Sequence, residues 1–279
     1  MEPPEFYRAQ KGTQEAAAIL ARRQWRTLGS VDEWSRIASR LVLIVSSAQT
    51  GVARRADDYV QAQTGVSADA TVVASRFAGV ASDGRPIESL LYSPVAHARS
   101  LYGSGLTDAQ VMDSSLAVLD RIVRTQIADA GRLATQVAIT ARPRVGWYRY
   151  VTPPCCQRCA VLAGKWFKWN QGFRRHPRCD CVHRPAIEGS PPDMTDVIDP
   201  SQIHDLTAAQ REAVAAGSDL NRVINAYRAA FRSSDRLAMA TTTELARNGR
   251  VRLTPDGIFS RSKSRDEALD MLRAHGYLR

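Results

Sequence analysis

A chain of 279 residues, 44% hydrophobic and 24% charged, has the apolar content for one or two packed cores and is poorly matched to a wholly disordered protein. The formal net charge of +10 and a pI near 9.8 suit polyanionic or acidic partners as well as a plain solvated basic surface. The longest apolar run, "LVLIVSSA" from Leu41 to Ala48, is far short of a membrane span of about 20 residues, and the first residues lack the basic flank and apolar core of a secretion signal.

The first predicted helix runs from Thr13 to Leu28 and turns Leu20, Trp25 and Leu28 inward. Ser30 followed by Glu33 fits a capping box. Beyond it Trp34, Ile37, Leu41, Ile44 or Val45, Ala48, Val52, Ala56 and Tyr59 recur at three- and four-residue steps, one face of a helix. That helix is expected to end near Gln63 with Gly65 as its stop, and Gly51 is its expected interruption. Residues 65–106 mix turn signals with a short apolar stretch. Thr107 opens a second long helix, with Val111, Leu116, Leu119, Ile122 or Val123, Ile127, Ala130, Leu133 and Val137 as its stripe, ending before Pro143.

The segment "RVGWYRYV", Arg144 to Val151, is aromatic and β-branched and predicts a strand. Two short strands are expected in "KWFKW" and "CDCVHRPA". A Pro/Asp/Ser-rich linker starts at Glu188. The remainder is helical: Thr207 to Ala216, a second helix capped by Ser218-Asp219 with Leu220, Val223, Ile224 and Tyr227 inward, and a last one from Ser264 to His275 ended by Gly276. "TPDGIF" is expected to be a turn. The fold class is therefore mainly α: long amphipathic helices flanking a small α+β zinc-binding module, with a helical C-terminal region. The expected divisions are 1–143, 144–188 and 189–279.

All five cysteines lie between 155 and 181. In a reducing cytoplasm such a cluster points to a metal more than to disulfides. Cys156 and Cys159 form a Cys-x2-Cys knuckle, and sixteen residues separate it from His176, Cys179 and Cys181. Two thiolates facing an imidazole and further thiolates have the spacing of a closed structural Zn²⁺ site. Cys156, Cys159 and His176 lead the set. Cys179 and Cys181 compete for the last place, Cys181 being favoured by its position at the start of a returning strand. Cys155 is expected to be a buried small side chain, and His183 to sit on an exposed strand face. Lys165, Lys168, Arg174, Arg175 and Arg178 interleave with Trp166, Phe167, Trp169 and Phe173. This pattern serves either nucleic-acid contact through charge and stacking or a small module's core with a wet basic face.

No catalytic set is recognisable. The chain has no Gly-x-Ser-x-Gly elbow, no His-Glu-x-x-His and no phosphate-binding Gly-x4-Gly-Lys loop. Ser114, Ser115, His97, His204 and His275 stand outside any such motif. A non-enzymatic protein is expected.

The run "CQRCAVLAGKWF…HPRCDC…RP" resembles the Cys-x2-Cys, Gly, His-Pro-x-Cys-x-Cys signature of MuF-like minor head proteins of tailed phages. "ASDGRPIESLLYSP" at 81–94, "AAGSDLNRVINAYRA", and "VRLTPDGIFSRSKSRDEALDMLRAHGYL" are similar to the branch found in actinobacterial phages. The resemblance implies a low-copy internal head component that joins the procapsid beside the portal protein. It also implies partners in the portal and the major capsid protein, contact with packaged double-stranded DNA, and no membrane. By the same resemblance the protein would reside in the virion, after assembly in the host cytoplasm. The family's metal-type residues fall on Cys156, Cys159, His176, Cys179 and Cys181. Some relatives are labelled capsid maturation proteases, which leaves that activity as an alternative. A zinc-dependent DNA-binding protein is a third.

Overall fold

The computed structural model describes residues 1–176, 179–190, 198–228 and 253–279. The middle of the expected Pro/Asp/Ser-rich linker, 191–197, lies outside the described residues. The first helix, α1, covers Pro3–Trp25 and starts ten residues earlier than the sequence pattern suggests. Glu2 and Glu5 close a reciprocal capping box around Pro3 at the first helical position, and this satisfies the first amides without any apolar signal. Ser30 also caps, but it caps a 3-10 turn over Val31–Trp34: its hydroxyl accepts from the Asp32 amide, while the Glu33 carboxylate accepts from Gly29.

α2 is Ser35–Ala53 and α3 is Ala56–Thr64. The expected single long helix is thus broken at Arg54-Arg55, not at Gly51. Gly65, with φ of 65°, stops α3 as expected, because only a residue without a Cβ takes that left-handed cap at little cost. Two short helices, α4 (Ile87–Leu91) and α5 (Ser93–Leu101), fill the region that the sequence leaves mixed.

α6, Asp108–Thr140, is a 33-residue helix about 50 Å long that begins on the Thr107–Gln110 capping box. α1 and α2 lie along it as a three-helix layer, and α5 covers its first half. Trp25 is buried and donates its indole N–H to the Met112 carbonyl at 3.3 Å. Where α1 crosses α6, a Cβ on Gly131 would stand 2.5 Å from the side-chain amide of buried Gln10, so a larger residue there would push that side chain aside.

The sheet has the order β2-β1-β3, all antiparallel: β1 Val145–Tyr150, β2 Trp166–Phe167 and β3 Val182–Ile187. Trp147 lies opposite Phe167 on one side and Pro185 on the other. A Cβ on Gly146 would collide with the Trp166 ring, which explains a glycine in an otherwise aromatic strand. The helix α7, Gln157–Ala160, is the single turn of the cysteine knuckle.

The C-terminal region contains α8 (Ala208–Ala215), α9 (Leu220–Arg228), α10 (Pro255–Arg261) and α11 (Arg265–Ala274). "TPDGIF" is therefore the start of a helix and not a turn. Thr254 accepts from the Gly257 amide and Pro255 sits at the first helical position, so this Pro-Asp-Gly run is a helix N-terminus. Val223 and Ile224 are buried as expected, whereas the Tyr227 side chain lies outside the described residues. The final residues return to the helices: Thr71 and Arg279 exchange backbone hydrogen bonds of 2.9 and 3.1 Å. Buried apolar residues form one main cluster running from α1 and α2 through α6 to the sheet and α11. No described helix is long and apolar enough to cross a membrane.

Candidate metal centre

Two tight turns build the site. Cys156 is the N-cap of α7, and its carbonyl accepts from the amides of Cys159 and Ala160 at 3.0 Å each. An i, i+3 pair on one turn points both sulfurs the same way. The second half repeats the device, with the Cys179 amide donating to the His176 carbonyl at 3.0 Å. Cys181 stands just beyond, at the mouth of β3.

The two halves meet. His176 Nε2 lies 3.1 Å from Cys156 Sγ and 3.4 Å from Cys159 Sγ, and Cys159 Sγ lies 3.7 Å from Cys179 Sγ. A tetrahedral ion with arms of about 2.0–2.3 Å separates its donors by about 3.3–3.8 Å, so the 3.4 and 3.7 Å spacings fit such an ion and the 3.1 Å spacing is slightly short of it. Donor atoms fall into two groups, Cys156/Cys159/His176 and Cys159/Cys179/Cys181, each with all atoms within 4.8 Å of one another. Either group can hold a metal ion, and Cys159 belongs to both. All five sequence-predicted ligands are thus brought together. Cys155 is not among them. It is buried against the segment after the linker, its amide donating to Gln202 and its carbonyl accepting from His204, both at 3.0 Å. Burial pushes its thiol up to about 11.

The thiols share protons unequally. Hydrogen bonds from Cys159 and His176 bring the Cys156 thiol down to about 4. Cys179 is also held low, by hydrogen bonds from Cys159 and Cys181 and then by the Arg132 and Arg149 charges. Cys159 is pushed up by donating to Cys156 and Cys179. Two thiolates therefore form readily at a site that lies mostly out of water, and a cation is what such a pair attracts.

Four polar residues around the cluster have no signature in the sequence. Arg149, on β1, is 1% exposed. Its Nη2 donates to the Arg174 carbonyl at 2.5 Å and lies 3.7 Å from Cys179 Sγ. Its guanidinium sits over the Phe173 ring, 4.2 Å from the centroid. Arg132, on α6 and 5% exposed, donates to the carbonyls of Cys181, at 3.0 Å, and of Cys179. Asp129, one turn earlier and 2% exposed, accepts from Arg132 at 2.9 Å. Gln136 Oε1 and His183 Nε2 are 2.7 Å apart. A periodicity argument treats these α6 positions as the polar face of a surface helix, but the module wraps that half of α6 and buries it all round.

His183 corrects the sequence expectation. It is 1% exposed and stands edge-on to Trp147, 4.4 Å between centroids. Burial holds its pKa well below the usual histidine range, so it is neutral. Among the basic residues Arg175 differs from its neighbours in pairing with the buried Asp129 carboxylate. Lys165, Lys168 and Arg174 are exposed, and Arg178 lies outside the described residues. The aromatics interleaved with them are used for packing: Phe167 and Phe173 stack on Trp147 at 4.3 and 5.1 Å, and Trp169 meets Phe259 edge-on. Of these rings Phe173 is buried, whereas Phe167 and Trp169 are half-buried.

Outside the module, His97 Nε2 and Ser114 Oγ are 2.9 Å apart between α5 and α6. Ser115 is fully buried. Comparison with protein-family models, with curated proteins and with solved structures finds no match to the chain.

Proposed function

We propose that the protein is architectural: one Zn²⁺, held by Cys156, Cys159, His176 and Cys179 with Cys181 as an adjacent fifth donor, clips the module shut. The observation that carries this reading is the setting of Arg149. A buried guanidinium costs several kcal/mol unless an anion faces it. Its Nε and Nη1 have no hydrogen-bond partner among the described residues, and the charges that favour it are those of Cys181, Cys179 and Cys159. Arg149 is thus placed for a negatively charged cluster. A cation would hold Cys159 and Cys179, 3.7 Å apart, as thiolates, and sulfur with imidazole selects Zn²⁺ over hard ions. When bound, the ion supplies a cross-link; four protein donors leave no position for a reactive water.

The motif resemblance supports a minor head protein of a tailed phage, internal to the head and beside the portal. In that role the rigid module and long helices serve docking to the portal and major capsid proteins. The net charge of +10 suits sequence-independent attraction to packaged double-stranded DNA, with Lys165, Lys168 and Arg174 as the exposed candidates in the module. Elemental analysis of protein purified without chelator tests the clip. About one zinc per chain is expected, and a fully folded, metal-free protein with reactive thiols contradicts it. Mass spectrometry of purified virions tests the placement, since a head component remains in mature particles.

A second reading, a capsid maturation protease, has one observation in its favour: the His97–Ser114 contact at 2.9 Å. Against it, Ser114 lies inside α6, where the amides are bonded within the helix and cannot form an oxyanion hole. Ser114→Ala leaves the N-terminus of the major capsid protein unchanged if the architectural reading holds.

A further inference from the structure

The outer side of the α1–α2 pair carries a groove that the three-helix core does not use. Its volume is about 640 Å³, and small residues floor it: Gly12 and Ala16 from α1, Ser47 and Ala48 from α2. Leu20, which the sequence pattern places inward, and Leu43 form its walls, 45% and 66% exposed. Leucines this exposed over a floor of small side chains suit close approach by another helix.

Both ends of the groove are basic. At one end Arg40 reaches across from α2 to the Gln24 side chain of α1 at 3.5 Å, and exposed Arg23 lies one turn beyond Leu20. At the other end Arg55 reaches back to Thr13 Oγ1 at 3.3 Å, beside exposed Arg54. Among the described residues no carboxylate pairs with Arg23, Arg40, Arg54 or Arg55. The acidic side chains of α1 are engaged elsewhere: Glu5 accepts from the Glu2 amide at 3.1 Å, and Glu15 pairs with Arg22 and Arg124. Arg40 and Arg54 are separated by 14 positions along the sequence, about 21 Å at helical rise, or close to four turns.

We propose that this groove receives an amphipathic helix of another protein, with a Leu/Ala face flanked by acidic residues about four turns apart. Charge decides among the occupants. A second copy of this chain, laid antiparallel into the groove, brings Arg40 of one against Arg54 and Arg55 of the other, and like charges across an apolar seam oppose pairing. Nucleic acid satisfies the arginines but leaves Leu20 and Leu43 against phosphates.

Fluorescence anisotropy on the full chain at low salt tests it. The probe is a labelled helical peptide of about 20 residues with a Leu/Ala face and two glutamates at each end, compared with the same peptide carrying lysines there. The glutamate peptide is expected to bind at least about tenfold tighter than the lysine peptide, and more weakly as salt rises. Leu43→Glu reduces its binding by about tenfold or more with an unchanged melting temperature. The double variant Arg40→Glu/Arg54→Glu reverses the preference toward the lysine peptide. Absence of binding at millimolar peptide overturns the proposal, as does equal binding of the two peptides or indifference to Leu43→Glu. Leu43-dependent self-association in sedimentation assigns the groove to a second copy, and displacement of the peptide by a short DNA duplex assigns it to nucleic acid; either result overturns it.

Discussion

The layer of α1, α2 and α6 and the cysteine module hold together by opposite means. In the layer, Ala18, Ala21, Trp25, Leu41, Val45, Val52, Leu119 and Val123 are buried, and no metal or buried charge is needed between them. Hydrophobic burial at about 25 cal/mol per Å² is sufficient for such a contact. The module buries Arg132, Arg149, Asp129 and His183 beside Cys159, Cys179 and Cys181. Polar groups taken out of water cost free energy unless every one is paired, so burial alone cannot hold this half. The layer tolerates change in proportion to the volume removed. On the proposed reading, the module depends on a charge balance that one ion completes.

Cys159→Ser strikes the donor that both triads share, so it sharpens the comparison most. We expect metal binding to vanish and the module's near-ultraviolet signal to collapse, while most helical circular dichroism from the layer remains. Retention of stoichiometric metal in this variant breaks the distinction. Cys155→Ser, by contrast, keeps the metal.

Leu41→Ala tests the other half. It is expected to cost about 2–5 kcal/mol in thermal or denaturant unfolding, with metal content unchanged. A loss of metal here would mean that the halves fold as one cooperative unit.

Arg149→Met removes the charge that faces the sulfurs but keeps the packing on Phe173. Metal affinity, read by chelator competition, should fall about 10–100-fold. Lowering the pH should weaken affinity in the wild type too, because each donor must lose its proton before it binds.

The smallest effect is expected at Asp256, in the first turn of α10. Burial raises its carboxyl to about 6 from an ordinary value near 4. Its folded-state pKa is the higher one, so its stabilising share is complete below about pH 4 and lost as pH rises through about 6. Asp256→Asn should therefore raise the melting temperature slightly at pH 8 and leave it unchanged at pH 4. A destabilising effect at pH 8 would show that the ionised carboxylate is needed beside Arg175.

The signals legible in the sequence are local ones. Thr107 with Gln110, Ser264 with Glu267 and Gly65 declare helix ends by their own hydrogen-bonding chemistry, and each does so in the fold. The Cys-x2-Cys spacing places two sulfurs on one turn whatever surrounds them, so the cluster of Cys156, Cys159, His176, Cys179 and Cys181 is legible too. "TPDGIF" misleads because Pro-Asp-Gly serves a turn or a helix start equally, and only the residues after Gly257 decide between them. His183 departs from expectation because strand alternation predicts exposure, while neighbours in space determine it.

The amino-acid order by itself determined most of the helix stripes, the helix starts at Thr107 and Ser264, and each half of the donor set, because each depends on residues within a turn or two of one another. Tertiary structure alone decided that α6 is buried all round past Gln126, that Arg132 and Arg149 stand over the sulfurs, and that the α1–α2 groove is left open. Those outcomes depend on which surfaces meet across many tens of residues, as when Arg132 reaches the carbonyls of Cys179 and Cys181, and no local period in a sequence encodes such a meeting.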